Sequence, residues 1–135
     1  LVESINDGTV DVIVSDHKPE DEESKRLTFA QAATGASGIE TLLPLTLELF
    51  HNKSVNINKL IKSITSNPAK ILGINKGSLD KGYDADLCVL DLNKSWTVDK
   101  NKLKSKSKNT PIENRKLQGQ VLKTFIKGEL AYERI

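Results

Sequence analysis

The stretch Gly8-Thr9-Val10-Asp11-Val12-Ile13-Val14-Ser15-Asp16-His17-Lys18-Pro19 decides how the remaining residues are read. Its β-branched residues follow a turn signal at Asn6-Asp7-Gly8, a composition that predicts a short buried strand ending near Ser15. Asp16 and His17 then fall at the strand's C-terminal end. Beyond them, Lys18 to Arg26 is highly charged and contains Pro19, so it is expected to be a solvent-facing loop, where function often resides.

Further along, Ile39-Glu40-Thr41-Leu42-Leu43-Pro44-Leu45-Thr46-Leu47-Glu48-Leu49-Phe50 places apolar residues at helical spacing, which predicts a buried helix with Pro44 in its first turns. A second helix is expected from about Asn58 to Ser66, with Leu60, Ile61 and Ile64 on one face. Asn67-Pro68 ends it, and Ala69-Lys70-Ile71-Leu72-Gly73 forms one more short helical piece. Past Asn75 the period becomes strand-like. Turns at Lys76-Gly77, Lys81-Gly82 and Lys127-Gly128 separate strands around Ala85 to Leu92, Leu117 to Lys127 and Leu130 to Glu133. A strand followed by helices implies the closing βα unit of an α/β barrel, and the later strands imply a small β domain. The expected division is therefore residues 1–75 and 76–135. A barrel of this type needs roughly 250 residues, so 135 cannot contain it.

The bulk composition narrows the functional classes. With 37% hydrophobic and 28% charged residues the chain reads as ordinary globular protein. A net charge of +2 from 20 basic and 18 acidic residues is too balanced to imply nucleic acid or an acidic membrane as partner. No run approaches the roughly 18 apolar residues of a membrane span. The single cysteine, Cys88, lies in the apolar run Leu87-Cys88-Val89-Leu90. It is expected to be a buried structural thiol in a reducing cytosol. The chain holds no Met and starts Leu1-Val2-Glu3-Ser4, so it is expected to be the tail of a longer protein. Lys100, Lys102, Lys104, Lys106 and Lys108 alternate along the sequence and would share one side if extended. Without interleaved aromatics for base stacking, they read as a solvated face.

Asp16 has the strongest claim to chemistry, because active sites of α/β barrels are built at the C-terminal ends of the strands. Position alone is weak, since a strand-end Asp commonly caps a turn. Its company is more specific: Ser15-Asp16-His17-Lys18-Pro19, an acidic loop, then Gly35-Ala36-Ser37-Gly38-Ile39-Glu40-Thr41-Leu42-Leu43-Pro44-Leu45. This compound pattern resembles the dihydroorotases of the amidohydrolase superfamily, with a strand-end Asp-His-x-Pro motif followed by a Gly-x-Glu-Thr helix. Three later stretches agree with the resemblance. They are Asn67-Pro68-Ala69-Lys70-Ile71-Leu72-Gly73, then Gly77-Ser78-Leu79-Asp80-Lys81-Gly82-Tyr83-Asp84-Ala85-Asp86-Leu87, and finally Ser107-Lys108-Asn109-Thr110-Pro111 with Leu117-Gln118-Gly119-Gln120-Val121.

The resemblance implies the last βα unit of a metal-dependent hydrolase barrel, followed by the C-terminal strands of a composite β-sandwich. It implies reversible hydrolysis of dihydroorotate to carbamoyl aspartate, a step of pyrimidine synthesis, at one or two zinc ions. Asp16 would bind a zinc and accept the proton of the attacking hydroxide, then pass it to the leaving nitrogen. The backbone around Thr34 and Gly35 matches the place where relatives contact the substrate ring. A glycine there allows close approach. His17 is read as supporting the site rather than ligating, His51 as a surface residue, and Glu40 and Thr41 as fixing a helix start. The implied partners are the small-molecule substrate and either a homodimer or aspartate transcarbamoylase.

Two departures from the family pattern matter. Its commonest form has a histidine four residues after the aspartate, helping to hold the substrate carboxylate, where this chain has Glu20. A carboxylate pairs with another only through a shared proton or a bridging cation, so the pocket around Glu20 is expected to be either rearranged, with Lys18, Lys25 or Arg26 supplying positive charge, or different. The family's other metal ligands, a His-x-His pair on the first strand and residues of the fourth, fifth and sixth, have no counterpart here. One aspartate cannot hold catalytic zinc, which needs about three protein ligands, so the 135 residues alone are expected to be inactive and poorly stable. Two alternatives stay open: a related cyclic amidase such as an allantoinase or dihydropyrimidinase, and a non-catalytic homologue serving as scaffold for aspartate transcarbamoylase.

Overall fold

A helix that the sequence reading did not anticipate begins the chain. In the computed structural model, which describes residues 1–134, α1 spans Val2–Asp7 and stops at Gly8, whose φ of 88° only glycine adopts freely. The turn signal at Asn6-Asp7-Gly8 is thus a helix terminus. Ile5 is the reason α1 docks: it is buried against Val55 and Leu60, with Val10, Ile13 and Phe50 packed around them.

The strand expected over Gly8 to Ser15 is not formed. Residues 10–16 carry no strand ladder. The Ile13 amide donates to the Ser63 carbonyl at 3.1 Å, the Asn67 side chain donates to the Asp11 carbonyl, and one isolated parallel bridge joins His17 to Ala36. β-Branched composition favours a pleated, half-buried surface but supplies no partner strand, and none lies beside this segment among the described residues. The charged loop after it contains a single helical turn, α2 (Glu22–Lys25), capped by Asp21 accepting from the Ser24 amide.

The expected helices are present. α3 (Leu42–His51) carries Pro44 at its third position, where a missing N–H breaks no helical bond, and Leu47 is fully buried. α4 (Ile57–Ile64) starts at Asn56, whose side chain accepts from the Asn58 amide, and buries Leu60. It breaks at Thr65, one residue before the expected end, and α5 (Ser66–Ile71) follows at once. His51 departs from its expected surface place. It is half-buried, its ring centroid is 5.2 Å from that of Phe50, and its Nε2 is enclosed without a partner among the described residues.

The second half is a three-stranded antiparallel sheet in the order β1 (Leu87–Thr97), β2 (Lys116–Ile126), β3 (Glu129–Glu133). Trp96 faces Leu117, and Ile126 faces Glu129 across the two-residue turn Lys127-Gly128. Both turn residues have positive φ, as a tight hairpin of right-handed twist requires. The helical half meets the sheet where α3 lies against β2. Leu47 there leaves no room for a side chain on Gly119. Leu117, Val98 and Leu103 are buried nearby. Helices before residue 72 and a sheet after residue 86 make the chain mixed α/β.

Cys88 also corrects its expectation: it is exposed, with Sγ 3.8 Å from the Thr124 hydroxyl. Leu87 to Val89 are all exposed because no layer covers that end of the sheet among the described residues. Nor do the alternating lysines share a face. Lys100–Lys102 form a 3-10 turn, Lys100 pairs with Glu113, and Lys108 turns inward to the Leu103 and Ser105 carbonyls. No helix among the described residues is long and apolar enough to cross a membrane.

Candidate active site

Two chain passes build the site, residues 15–18 and 35–39. The Lys18 amide donates to the Ala36 carbonyl at 3.1 Å, and the Gly38 and Ile39 amides donate to His17 Nδ1 at 3.1 and 3.3 Å. His17 is therefore an acceptor at Nδ1, which places the proton of its neutral ring on Nε2. This is a supporting role, closed to ligation through Nδ1. The passes approach so closely that glycine is needed: a Cβ on Gly35 would stand 2.5 Å from the Lys18 carbonyl oxygen, and one on Gly38 would stand 2.9 Å from that of Ser15.

Asp16 sits between these anchors with φ 44°, in the left-handed region. Among non-glycine residues Asp tolerates this better than most, but it remains a strained conformation that the neighbouring contacts must hold. The exposed side chain lies on the wall of a cavity of about 910 Å³, together with Gly35, Ala36 and Gly38. Most of the remaining wall is apolar, with Val12, Val14, Leu42 and Ile112 among its residues. Thr110 also lines it, with a buried hydroxyl that finds no partner in the described chain.

Of the residues singled out from sequence, the fold brings Asp16 and Gly35 into one cavity. Glu20 lies elsewhere, on a second, polar recess of about 600 Å³ that Lys25, Asn109 and Thr110 also line. Among the three cations expected near Glu20, Lys18 reaches it, at 3.3 Å. Arg26 is engaged by Glu22 and Glu23, and Lys25 by two carbonyls. Thr34 is exposed and lines neither space. Glu40 does more than begin a helix, since its carboxylate accepts from the Lys104 and Ser105 amides.

Residues 103–110 form a strap, a role that the stretch Ser107 to Pro111, singled out above for its resemblance, does not itself reveal. Ser37 donates to the Ser107 carbonyl, Ser107 donates to the Glu20 carbonyl, and the Ser37 amide donates to the Asn109 carbonyl. These bonds span up to 87 residues of sequence. The polar residues Ser105, Ser107 and Asn109 between the lysines were the available signal, obscured by the charge pattern.

Among the described residues no three His, Cys, Asp or Glu side chains gather into a metal-holding group. Asp16 is the one carboxylate on the cavity wall. This donor set does not fit a catalytic zinc, which takes about three protein ligands.

Residues 1–131 match the sequence pattern of the amidohydrolase family. The chain belongs to that family. Among curated relatives, this amidohydrolase chain is 42% identical over 135 residues to a protein named dihydroorotase from Ehrlichia canis (strain Jake), covering all of the chain and 30% of that protein. It is 43% identical over 131 residues to one from Acetivibrio thermocellus, covering 96% of the chain and 31% of that protein. It thus spans about 30% of the length of the curated relatives it matches. Among solved structures, the dihydropyrimidinase from Brevibacillus agri NCHU1002 superposes with a TM-score of 0.91 at 21% identity, over 98% of this chain and 30% of that one. The fold of the amidohydrolase segment is thereby shared. The L-hydantoinase (dihydropyrimidinase) from Arthrobacter aurescens superposes at 0.86 with 33% identity, over 98% of this chain and 31% of that one.

Proposed function

We propose that this chain is the part of a dihydroorotase that supplies the catalytic aspartate, Asp16, for reversible hydrolysis of the cyclic amide of dihydroorotate to N-carbamoyl-aspartate in pyrimidine biosynthesis. The observation that carries the proposal is the placement of Asp16 and the glycine-bearing Gly35 loop on one cavity wall. Similarity to proteins named dihydroorotase over the whole chain supports it. In this reading residues 1–75 close an α/β barrel and 76–135 complete a β-sandwich, in a cytoplasmic enzyme whose partners are its small-molecule substrate and a second copy or aspartate transcarbamoylase.

The chemistry asked of this chain is proton transfer and positioning. The Asp16 carboxylate accepts a proton from the attacking water and returns it to the leaving ring nitrogen, a task that needs a carboxylate fixed within hydrogen-bond reach of both. His17 and the Gly35 loop fix that place. Zinc belongs to the proposal for the whole enzyme, with its other ligands outside these 135 residues, and no step here depends on it.

The test joins this chain to the preceding part of the Ehrlichia canis dihydroorotase. The chimera is expected to hydrolyse dihydroorotate, and Asp16→Asn to lower kcat by about 10²–10⁴-fold, the usual range for losing a general base. Similarity to the Arthrobacter aurescens L-hydantoinase favours a second reading, a related cyclic amidase. Turnover of hydantoin or allantoin without turnover of dihydroorotate would select it.

A further inference from the structure

Glu40 is tied to both halves of the chain. One of its carboxylate oxygens accepts from the Lys104 amide at 2.6 Å and from the Ser105 amide at 3.2 Å, 64 and 65 residues further along. Both partners are main-chain amides, so the carboxylate fixes the backbone of the strap, and a charged acceptor makes such bonds stronger than neutral ones. On its other side Glu40 follows directly on Gly38 and Ile39, whose amides donate to His17 Nδ1. His17 is in turn the covalent neighbour of Asp16. Thr41 closes the same segment, its amide and hydroxyl both donating to the Gly38 carbonyl. Ser37, just before the segment, is buried and adds a parallel link, its hydroxyl donating to the Ser107 carbonyl and lying 3.1 Å from that of Ser105. His17, Ser37, Glu40 and Ser105 all face one small recess. From Asp16 to the strap the path is therefore continuous, with no hydrogen bond along it longer than 3.3 Å. The strap itself lies between β1 and β2, so its far ends belong to the sheet.

We propose that Glu40 is a positioning residue for Asp16: by gripping the strap amides it immobilises Gly38 and Ile39, and through His17 these fix where the Asp16 carboxylate stands. The catalytic consequence rests on the function proposed above; the relay of bonds does not. Glu40 does not line the Asp16 cavity, so it acts only through the segment it anchors. Asp16 holds a left-handed φ of 44°, a conformation that its surroundings must maintain. A carboxylate that carries a proton between two atoms must stay within hydrogen-bond reach of both, and a displacement of about 1 Å costs about 10²-fold in rate. Loosening the relay is therefore felt in kcat before KM.

The active chimera gives the first test. Glu40→Ala is expected to lower kcat for dihydroorotate about 10–100-fold while KM changes less than about threefold. Glu40→Gln leaves an acceptor oxygen for both amides and removes only the charge, so it is expected to keep kcat within about threefold of the unsubstituted chimera. In the Asp16→Asn background, where the proton acceptor is already lost, Glu40→Ala is expected to add little, because residues that act as a unit are not additive. Unchanged kcat in Glu40→Ala overturns the proposal. So does an equal loss with and without Asp16, which marks a merely structural carboxylate. Amide exchange on the 135-residue chain separates these outcomes from failure of the functional reading. Glu40→Ala is expected to speed exchange at Lys104 and Ser105 and, together with them, at Gly38 and Ile39; Glu40→Gln gives a smaller change of the same pattern and serves if Glu40→Ala does not fold. Faster exchange at Lys104 and Ser105 that leaves Gly38 and Ile39 untouched sinks the relay. Should the chimera ignore dihydroorotate while the four amides respond together, the functional reading has failed and the relay is upheld.

Discussion

At the scale of single residues, the site depends on what Gly35 lacks. Its φ of 122° and the 2.5 Å from its missing Cβ to the Lys18 carbonyl oxygen combine two penalties in one position. Gly8 separates them, with a φ of 88° and nothing within 4 Å of its missing Cβ. Gly8→Ala is therefore expected to cost only the left-handed strain, about 1–2 kcal/mol. Gly35→Ala is expected to exceed it by about 1–3 kcal/mol, because the Lys18 and Gly35 passes must also separate. Urea unfolding of the two variants measures the difference, and equal losses would show that the close approach carries no weight. Lys18 would move with the loop, so Gly35→Ala also loosens the Lys18–Glu20 pair. That pair is exposed at Lys18 and contributes little by itself.

At the scale of elements, the turn between the helices and the sheet is tied by charge. Lys76 Nζ lies 2.5 Å from both Asp84 and Asp86, and Asp86 also accepts from the Lys127 amide in the hairpin turn. The hydrogen bond from Lys76, then that from Lys127, holds the Asp86 carboxyl below its ordinary value of 3.8. A depressed folded value stabilises the fold above pH 3.8 and loses that stabilisation as pH falls through the folded value. Bonds to Asp84 and Asp86 raise Lys76 above its ordinary 10.5, so its share is complete below 10.5 and lost as pH rises through the folded value. The tie is expected to be constant between these limits and to weaken only outside them. Amide exchange at Lys127 checks it: in Asp86→Asn protection falls at neutral pH and no longer changes below pH 3.8, whereas unaltered protection refutes the tie. These elements were largely legible in the sequence. The apolar spacing of α3 and α4 and the turn pairs before β1 and β3 are local signals. The segment before Asp16 was not legible, because a strand is a relation between two segments and β-branched residues specify only one. Cys88 failed for the same reason: an apolar run predicts burial only where another layer covers it. Asp16 and Gly35, singled out by a local pattern, line one cavity, whereas Lys25 and Asn109 donate to a carbonyl oxygen that belongs to another residue, which no spacing reveals.

At the scale of the whole molecule, the Asp16 cavity is walled mainly by apolar side chains that the fold leaves open. Val14, on that wall, is 70% exposed, and Leu1 is 95% exposed. The outer end of the sheet adds Val89, Leu130 and Tyr132. Apolar side chains left open along a cavity wall mark a face that binds another surface. The isolated 135-residue chain is therefore expected to bind a hydrophobic dye strongly and to associate as its concentration rises. Extra sequence that covers the cavity, as in the Ehrlichia canis chimera, should suppress both. Replacing Val14 with Asp separates this from general unfolding: association should fall while the far-ultraviolet circular dichroism keeps its helical signal. Sedimentation velocity reads the outcome. A chain that remains monomeric and dye-free at high concentration would show that the face is closed in solution, and that the cavity beside Asp16 is not the open half of a larger site. Activity should follow the same division. With one carboxylate on the wall and no metal-holding cluster among the described residues, the isolated chain is expected to leave dihydroorotate intact, and measurable turnover by it would place the whole reaction within these residues.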